Sequence, residues 1–164
     1  MIGVSACLAG VACRYDGKSQ EQKVLKKLVE TGQAIMVCPE VLGGLPIPRK
    51  PAEIIGGDGF DVWKGTAQIW ECQGEEVTES YKAGARLAYK ILQEKQVTTL
   101  ILKEKSPSCG SGMIYDGTFT GNKITGVGVA TAYFIKKGLK IFSEEQLTQE
   151  EDLLRAILSE DEGM

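Results

Sequence analysis

Three cysteines follow three apolar segments of the chain, in positions from which a sulfur atom can face a ligand. Each segment has the length and the continuous apolar pattern of a buried β-strand. Because the carboxyl ends of parallel strands meet at one edge of a sheet, the sequence predicts that the three sulfur atoms converge in one crevice. The cysteines are Cys7, Cys38 and Cys109, and the segments before them span residues 2–6, 34–37 and 98–102.

The loops that carry these cysteines favour a binding site over simple packing. They read Cys-Leu-Ala-Gly, Cys-Pro-Glu and Ser-Pro-Ser-Cys-Gly, and small residues and proline let a backbone turn sharply close to a ligand. A single free cysteine is commonly a buried structural residue. Three at one predicted edge, with Glu40, Lys105 and Ser106 beside them, indicate a site. Cys72 lies in a polar turn and has no predicted role.

The absence of histidine narrows the chemistry of such a site. It excludes the Ser-His-Asp and Cys-His arrangements and every metal site that depends on histidine. Thiolates suit zinc, copper(I) and iron–sulfur clusters, but the close Cys-x2-Cys pairs of structural zinc sites are missing. Cys13, six residues after Cys7, is a candidate extra ligand. A cluster held by four cysteines would be closed and suited to electron transfer, whereas three cysteines would leave one iron open.

Length and charge set the broad class of protein. The 164 residues suit one domain, residues 1–164, and the net charge of −3 with no long basic block argues against nucleic acid as a partner. No apolar run approaches the roughly 20 residues of a membrane span, and the N-terminus lacks the basic region of a signal peptide. We therefore expect a cytoplasmic protein without a membrane partner. Five cysteines, an odd number, argue against a disulfide framework.

Apolar strands alternate with amphipathic helices along the chain. This pattern predicts an α/β fold, with a mainly parallel, Rossmann-like sheet and helices on both faces. Residues 43–76 form an irregular insertion in which residues 54–55 and 67–71 could pair as a hairpin. Ser143 and Gln146 resemble a capping box at the start of a C-terminal helix spanning residues 144–164. The other predicted helices cover residues 21–30, a long segment from about residue 78, and residues 129–137, and a fourth strand covers residues 139–142.

Three long motifs resemble a known protein family. VSACLAGVACRYDG, VCPEVLGGLPIPRKPAEI and LKEKSPSCGSGMIYDGTFTG are similar to segments of the family that includes bacterial 2-thiouracil desulfidase (thiouracil desulfurase). The resemblance extends from residue 2 to about residue 147. It implies an α/β domain that binds a [4Fe-4S] cluster through Cys7, Cys38 and Cys109. The family's longer relatives often have valine at the position of Cys13.

The same resemblance implies an enzyme that removes sulfur without net oxidation or reduction. Its substrate would be a small thiolated molecule, a thiocarbonyl compound such as a thiopyrimidine, whose sulfur is accepted by the open iron during hydrolytic C=S cleavage. The glutamate of the Cys-Pro-Glu motif and the first serine of the Ser-Pro-Ser-Cys motif, both catalytic in the family, match Glu40 and Ser106. Arg14, Arg49 and Lys105 are candidate substrate-binding residues. The sequence does not predict an oligomeric state.

Two other functions remain open at this point. One is a non-enzymatic iron–sulfur or redox-sensing protein in which Cys13 is the fourth ligand. The other is a metal-free module that binds a small molecule or nucleotide, because glycine-rich loops at strand ends also suit phosphate. However, neither a G-x-G-x-x-G motif nor a P-loop follows the first strand.

Overall fold

The computed structural model describes residues 1–150 and 152–162 of the chain. A four-residue 3-10 helix, Ala6–Ala9, follows the first strand. No helix within the described ranges is long and apolar enough to cross a bilayer. The elements in chain order are β1 (Ile2–Ser5), α1 (Lys23–Glu30), β2 (Ala34–Val37), α2 (Pro39–Leu42), β3 (Ala52–Ile55), α3 (Gly59–Lys64), β4 (Gln68–Glu71), α4 (Thr78–Glu94), β5 (Thr99–Leu102), β6 (Met113–Tyr115), β7 (Lys123–Thr125), α5 (Val129–Lys136), β8 (Lys140–Ser143), α6 (Glu144–Gln149) and α7 (Leu153–Glu162).

Four of the strands form one parallel sheet in the order β2-β1-β5-β8. This confirms the predicted α/β class and the parallel sheet. The strands β2, β1 and β5 are direct neighbours, so their carboxyl ends lie side by side. The segments that follow these three ends are the ones that carry Cys38, Cys7 and Cys109.

Helices cover both faces of the sheet, as predicted. Successive side chains of a strand point to opposite faces. Ile2, Val4 and Ile101 accordingly pack with apolar residues of α1 and α7, whereas Leu100 and Leu102 pack with α4 and α5. A Cβ atom on Gly3 would lie 2.5 Å from Leu100 Cδ2 and 2.8 Å from a methyl group of α4, so a side chain there would require these two leucine side chains to shift.

The insertion of residues 43–76 is more regular than predicted. Strands β3 and β4 form the antiparallel hairpin that the sequence suggested. Between them lies α3, which the sequence analysis missed because glycine and aspartate dominate this stretch. The Asp58 carboxylate accepts hydrogen bonds from the amides of Phe60 and Asp61, and the Asp61 carboxylate accepts one from the amide of Asp58. This reciprocal capping box was the overlooked sequence signal.

The prediction of one continuous helix over residues 144–164 is wrong. The capping box is present, since Ser143 and Gln146 each accept the other's amide hydrogen bond. However, Glu150 is extended (φ −123°, ψ 99°) and separates α6 from α7. Acidic residues are favourable near the N-terminus of a helix and unfavourable at its C-terminus. The acidic sequence at residues 150–152 therefore favours the start of a second helix over the continuation of α6. Residues 151, 163 and 164 of this prediction lie outside the described ranges.

Candidate functional site

A cavity of about 450 Å³ opens at the carboxyl edge of the parallel sheet. All the residues that the sequence singled out as site candidates line it. The thiol-bearing residues are Cys7, Cys13, Cys38 and Cys109, and the others are Arg14, Glu40, Arg49, Lys105 and Ser106. The fold therefore brings the candidates together, while the role of each one stays a prediction.

Each predicted ligand is placed by the end of a strand. Cys7 lies in the 3-10 helix directly after β1, and Cys109 lies in the loop after β5. Cys38 is the N-cap of α2, where Pro39 occupies the first helical position and favours the helical backbone angle there. All three thiols are free, and those of Cys7 and Cys109 are buried. Three sulfur atoms from distant parts of the sequence therefore face one space.

The Cys13 thiol contacts those of both Cys7 and Cys38. For Cys13, the hydrogen bond from Cys38 lowers the pKa, but the contact with Cys7 and burial outweigh it and raise the pKa to about 11. The contact with Cys13 and burial raise the pKa of Cys38. Burial, and next the Glu40 carboxylate, raise the pKa of Cys109. These three thiols are therefore protonated near neutral pH, and a metal that binds thiolates would displace their protons.

Two serine hydroxyls lie against the Cys109 sulfur atom. Hydrogen bonds from Ser108 and Ser5 favour its thiolate, although the effect of burial is larger. Ser5 Oγ accepts a hydrogen bond from the Lys103 amide at 2.9 Å, so its own proton is free to point elsewhere. Ser108 is fully buried, and its Oγ has no nitrogen or oxygen partner among the described residues. Both hydroxyls are thus placed to donate to the sulfur.

The Glu40 carboxylate is held by donors on both of its oxygen atoms. Ser106 Oγ lies 3.2 Å from Oε1, and Arg49 Nη2 pairs closely with Oε2. Ser106 Oγ already accepts hydrogen bonds from the amides of Ser108 and Cys109 at 3.0 and 3.1 Å. Its hydroxyl proton is therefore left for Glu40. The Glu40 side chain keeps 13% of its surface exposed at the cavity, whereas that of Arg49 is only 3% exposed.

Arg49 is enclosed by acceptors of the protein itself. Its Nη1 donates to the Pro46 carbonyl at 3.1 Å, and its Nη2 donates to the Cys13 carbonyl at 3.0 Å as well as to Glu40. Burial disfavours the charged guanidinium, but the Glu40 carboxylate outweighs this effect and raises the pKa of Arg49. Arg49 therefore connects its own loop, which contains Pro46, to the loop of Cys13 and to Glu40 in α2.

A buried carboxylate that the sequence analysis missed holds the loop of Ser106 and Cys109. Glu104 is only 6% exposed. Its carboxylate accepts hydrogen bonds of 2.8–3.2 Å from the amides of Lys105, Ser111, Gly112 and Met113 and from the Ser111 hydroxyl. Burial alone would raise the pKa of Glu104, but these amides outweigh burial and lower it.

A second missed carboxylate anchors the start of that loop. Glu144, the first residue of α6, accepts hydrogen bonds from the Glu104 amide at 2.8 Å and from Lys103 Nζ at 3.1 Å. The N-terminus of a helix also favours a carboxylate. The loop between β5 and β6 is therefore fixed to a helix on one side and to its own buried carboxylate on the other.

The two remaining predicted cations lie at the cavity with partners of their own. Arg14 Nη1 lies 3.9 Å from Asp16, and the guanidinium lies 5.8 Å from the centre of the Tyr15 ring. Lys105 Nζ lies 2.8 Å from the carboxylate of Glu145, and this hydrogen bond raises the pKa of Lys105. Surface pairs of this kind are weak, so both cations can exchange partners with a ligand.

Further cavity residues were missed by sequence reasoning. Cys72 reaches the wall only because the β3–β4 hairpin folds over the sheet edge. Tyr81 belongs to the apolar stripe of α4, and no sequence signal separates it from the core. Three more aromatic side chains line the cavity: Tyr15 and Phe119 lie outside the helices and strands, and Tyr115 ends β6.

The set of donors has a definite chemical character. Within residues 1–150 and 152–162, no three thiol or carboxylate side chains are grouped as one metal ion would require. The cavity instead presents soft sulfur donors on several sides of a space of about 450 Å³. Thiolates without histidine suit a sulfur-bridged iron cluster, which is larger than a single ion.

Comparisons with known proteins agree with the fold and with the motifs. A family model described as 2-thiouracil desulfurase matches residues 2–146. The uncharacterized protein YbbK of Bacillus subtilis (strain 168) is 51% identical over 147 residues, which cover 90% of this chain and 97% of that protein. A solved structure of the [4Fe-4S]-dependent thiouracil desulfidase TudS is similar with a TM-score of 0.79 and 40% identity, covering 94% of this chain and 97% of that one. The range that the family model matches, residues 2–146, spans all the candidate residues of the cavity.

Proposed function

Because the chain belongs to the 2-thiouracil desulfurase family, we propose that it is an iron–sulfur-dependent enzyme that hydrolyses the C=S bond of a thiocarbonyl compound such as a thiopyrimidine. The observation that carries the proposal is the meeting of three strand-end cysteines and Glu40 in one cavity. The likeness to TudS, a [4Fe-4S]-dependent thiouracil desulfidase, supports the same cofactor here.

The donors of the cavity fit a [4Fe-4S] cluster. Cys7, Cys38 and Cys109 would hold it, since thiolates are the usual ligands of such clusters. Their placement around one cavity, after three neighbouring strands, supports this choice. Held by three cysteines, such a cluster would supply one iron with an open position, a Lewis acid that would polarise a thiocarbonyl bond.

Glu40 is the candidate general base. Its carboxylate faces the cavity and is held by Ser106 and Arg49, so its position is defined before substrate enters. In the proposed reaction water adds to the thiocarbonyl carbon, the C–S bond breaks, and a carbonyl and sulfide are the products. No electron is gained or lost overall. Glu40 would take a proton from the water, and Ser106, which donates to Glu40, would keep the carboxylate in place.

The cavity walls suit a flat heterocycle. Tyr15, Tyr115 and Phe119 supply aromatic surface near the opening, against which a planar ring can stack. Arg14 and Lys105 lie at the cavity with weakly held partners, so either could contact an anionic group of the substrate. These side chains would set the orientation of the ring relative to Glu40.

A second function rests on one specific contact. The Cys13 thiol touches those of both Cys7 and Cys38. If Cys13 completes a four-cysteine cluster, no iron is open to substrate, and an electron-transfer or redox-sensing role follows.

One set of variants tests both functions. After anaerobic reconstitution with ferrous iron and sulfide, we expect about four irons per chain and the broad visible absorption of a [4Fe-4S] cluster. With 2-thiouracil, the protein should release uracil and sulfide in equal amounts. Cys7→Ser, Cys38→Ser and Cys109→Ser should each abolish cluster binding and activity, whereas Cys13→Ser should keep both.

Cys72→Ser is the matched control, since it removes a cavity thiol that has no predicted ligand role. Bound zinc without iron would overturn the proposed function. Equal loss of the cluster in all four ligand variants, with no sulfide released by the wild-type protein, would favour the closed cluster instead.

A further inference from the structure

The helices α2 and α4 approach each other more closely than side chains allow. A Cβ atom on Gly84 would overlap the Pro39 carbonyl group and lie 2.8 Å from the carbonyl carbon. A Cβ atom on Gly43 would overlap the Ser80 carbonyl group and lie 2.9 Å from that carbonyl carbon. Only glycine fits at either position. Tyr81, one turn before Gly84, is thereby brought beside Glu40, the residue that follows Pro39.

Tyr81 is enclosed next to the Glu40 carboxylate. Its side chain is 3% exposed and lines the cavity, and its hydroxyl contacts both Glu40 and Arg49. Burial, and next the Glu40 carboxylate, raise the pKa of Tyr81 well above its usual value, so the hydroxyl keeps its proton. A guanidinium has only donors and a carboxylate has only acceptors. The tyrosine proton can therefore be given only to Glu40.

Arg49 completes this arrangement from the other side. Both of its terminal nitrogen atoms already donate to protein oxygen atoms, and its side chain is only 3% exposed. Its remaining nitrogen, Nε, is buried without a partner among the described residues. The guanidinium therefore has little accessible surface left for a substrate, although the sequence suggested a substrate contact.

We propose that Tyr81 and Arg49 are positioning residues that hold the Glu40 carboxylate in one orientation toward the cavity, and that Arg49 does not contact substrate. The inference rests on the proposed function, in which Glu40 takes a proton from water. A carboxylate with donors on both oxygens cannot rotate freely, and catalysis is sensitive to small displacements of a base. Tyr81 and Arg49 therefore act on the reaction through Glu40.

The test compares Tyr81→Phe with Tyr89→Phe in the reconstituted holoenzyme. Both changes remove one hydroxyl from α4, but Tyr89 packs against Tyr133 at 5.6 Å between ring centres, away from the cavity. Loss of a hydrogen bond to a charged group should lower kcat of Tyr81→Phe about 10- to 100-fold, with KM changed less than about threefold. Cluster content and absorption should not change.

Arg49→Lys tests the second half of the proposal. Lysine keeps the charge but lacks the planar fork that joins Glu40 to the Cys13 and Pro46 carbonyls. We expect a lower kcat with little change in KM. A rise in KM with kcat unchanged would show that Arg49 contacts substrate, and would overturn this half.

A chemical readout separates this inference from the proposed function. A water-soluble carbodiimide with an amine labels accessible carboxyl groups, and mass spectrometry measures the rate at Glu40. We expect labelling about 3- to 10-fold faster in Tyr81→Phe than in the wild-type protein, and no change in Tyr89→Phe. This holds whether or not the protein releases sulfide, so a wild-type protein without desulfidase activity would overturn the proposed function alone. Unchanged labelling together with unchanged kcat in Tyr81→Phe would overturn the positioning role.

Discussion

Ser106 shows that individual atoms of the site already have hydrogen-bond partners before any ligand binds. Its oxygen accepts two amide hydrogen bonds and its proton is directed at Glu40. Buried polar groups need such partners, because an unpaired one costs free energy. Both oxygen atoms of Glu40 and both terminal nitrogen atoms of Arg49 have partners in the same way. Thiols form only weak hydrogen bonds, so the sulfur atoms are the groups that gain most from a ligand.

Glu104 leads to a prediction about acid stability. Its pKa is lowered from the usual 4.5, so the carboxylate stabilises the folded protein above that pH, and this contribution is lost as the pH falls through the folded-state value. The melting temperature of the apoprotein should therefore drop below about pH 4.5. At neutral pH, Glu104→Gln should lower the free energy of unfolding by about 1–3 kcal/mol and so lower the melting temperature. On acidification, the melting temperature of Glu104→Gln should fall less than that of the wild-type protein.

Thermal unfolding followed by circular dichroism at several pH values provides the measurement. Glu145→Gln is the matched control, because it removes a nearby carboxylate whose single exposed ion pair contributes little. If Glu104→Gln loses as much melting temperature on acidification as the wild-type protein, the buried carboxylate is not the acid-sensitive group.

Among the contacts between elements, that between α2 and α4 restricts the choice of residue most strongly. Alanine is favoured over glycine inside a helix by about 1 kcal/mol, so Gly84→Ala would stabilise an exposed helix. Here the new methyl group would overlap the backbone of α2. We expect Gly84→Ala to destabilise the protein by about 1–3 kcal/mol and to reduce desulfidase activity, because α4 carries Tyr81 and α2 carries Glu40.

Denaturant unfolding and the rate of sulfide release measure these two effects. The neighbouring change Ala83→Gly is the control. It should cost about 1 kcal/mol through helix propensity alone and leave activity unchanged. A Gly84→Ala protein more stable than the wild type would show that the two helices can separate without cost.

Element prediction from the sequence succeeded where one physical signal dominated. The strands of the parallel sheet were found to within about a residue, because burial on both faces demands a continuous apolar run. The helix α3 was missed because its short length gives little apolar periodicity, and only the Asp58–Asp61 capping box marks it. The C-terminal helix was predicted to be too long because the helical spacing of apolar residues continues across the break at Glu150.

For the whole molecule, the proposed cluster would join segments that are far apart in sequence. Cys7, Cys38 and Cys109 follow three different strands, and their segments are otherwise joined only by the sheet and by a few side-chain contacts such as that of Ser106 with Glu40. A group that binds all three in the folded state alone must stabilise that state. We expect the cluster-loaded protein to melt roughly 5–10 °C higher than the apoprotein under anaerobic conditions.

Scanning calorimetry of both forms measures this shift. Cys109→Ser should abolish it, whereas Cys72→Ser, the control, should show the wild-type difference. Equal melting temperatures of loaded and apo wild-type protein would mean that the cluster does not join the three loops.

The sequence by itself determined the α/β class, the family and the nine candidate residues of the cavity. Apolar strand segments and motifs around chemically distinctive residues are local, so they can be read without coordinates. Only the tertiary structure decided which side chains surround them. Tyr81, Glu104 and Cys72 resemble ordinary helix, loop and turn residues in the sequence. They reach the site because α4 packs against α2 at two glycines, because a buried carboxylate must collect amide donors, and because the hairpin folds over the sheet edge. These interactions join residues that are distant in sequence, so no local sequence pattern predicts them.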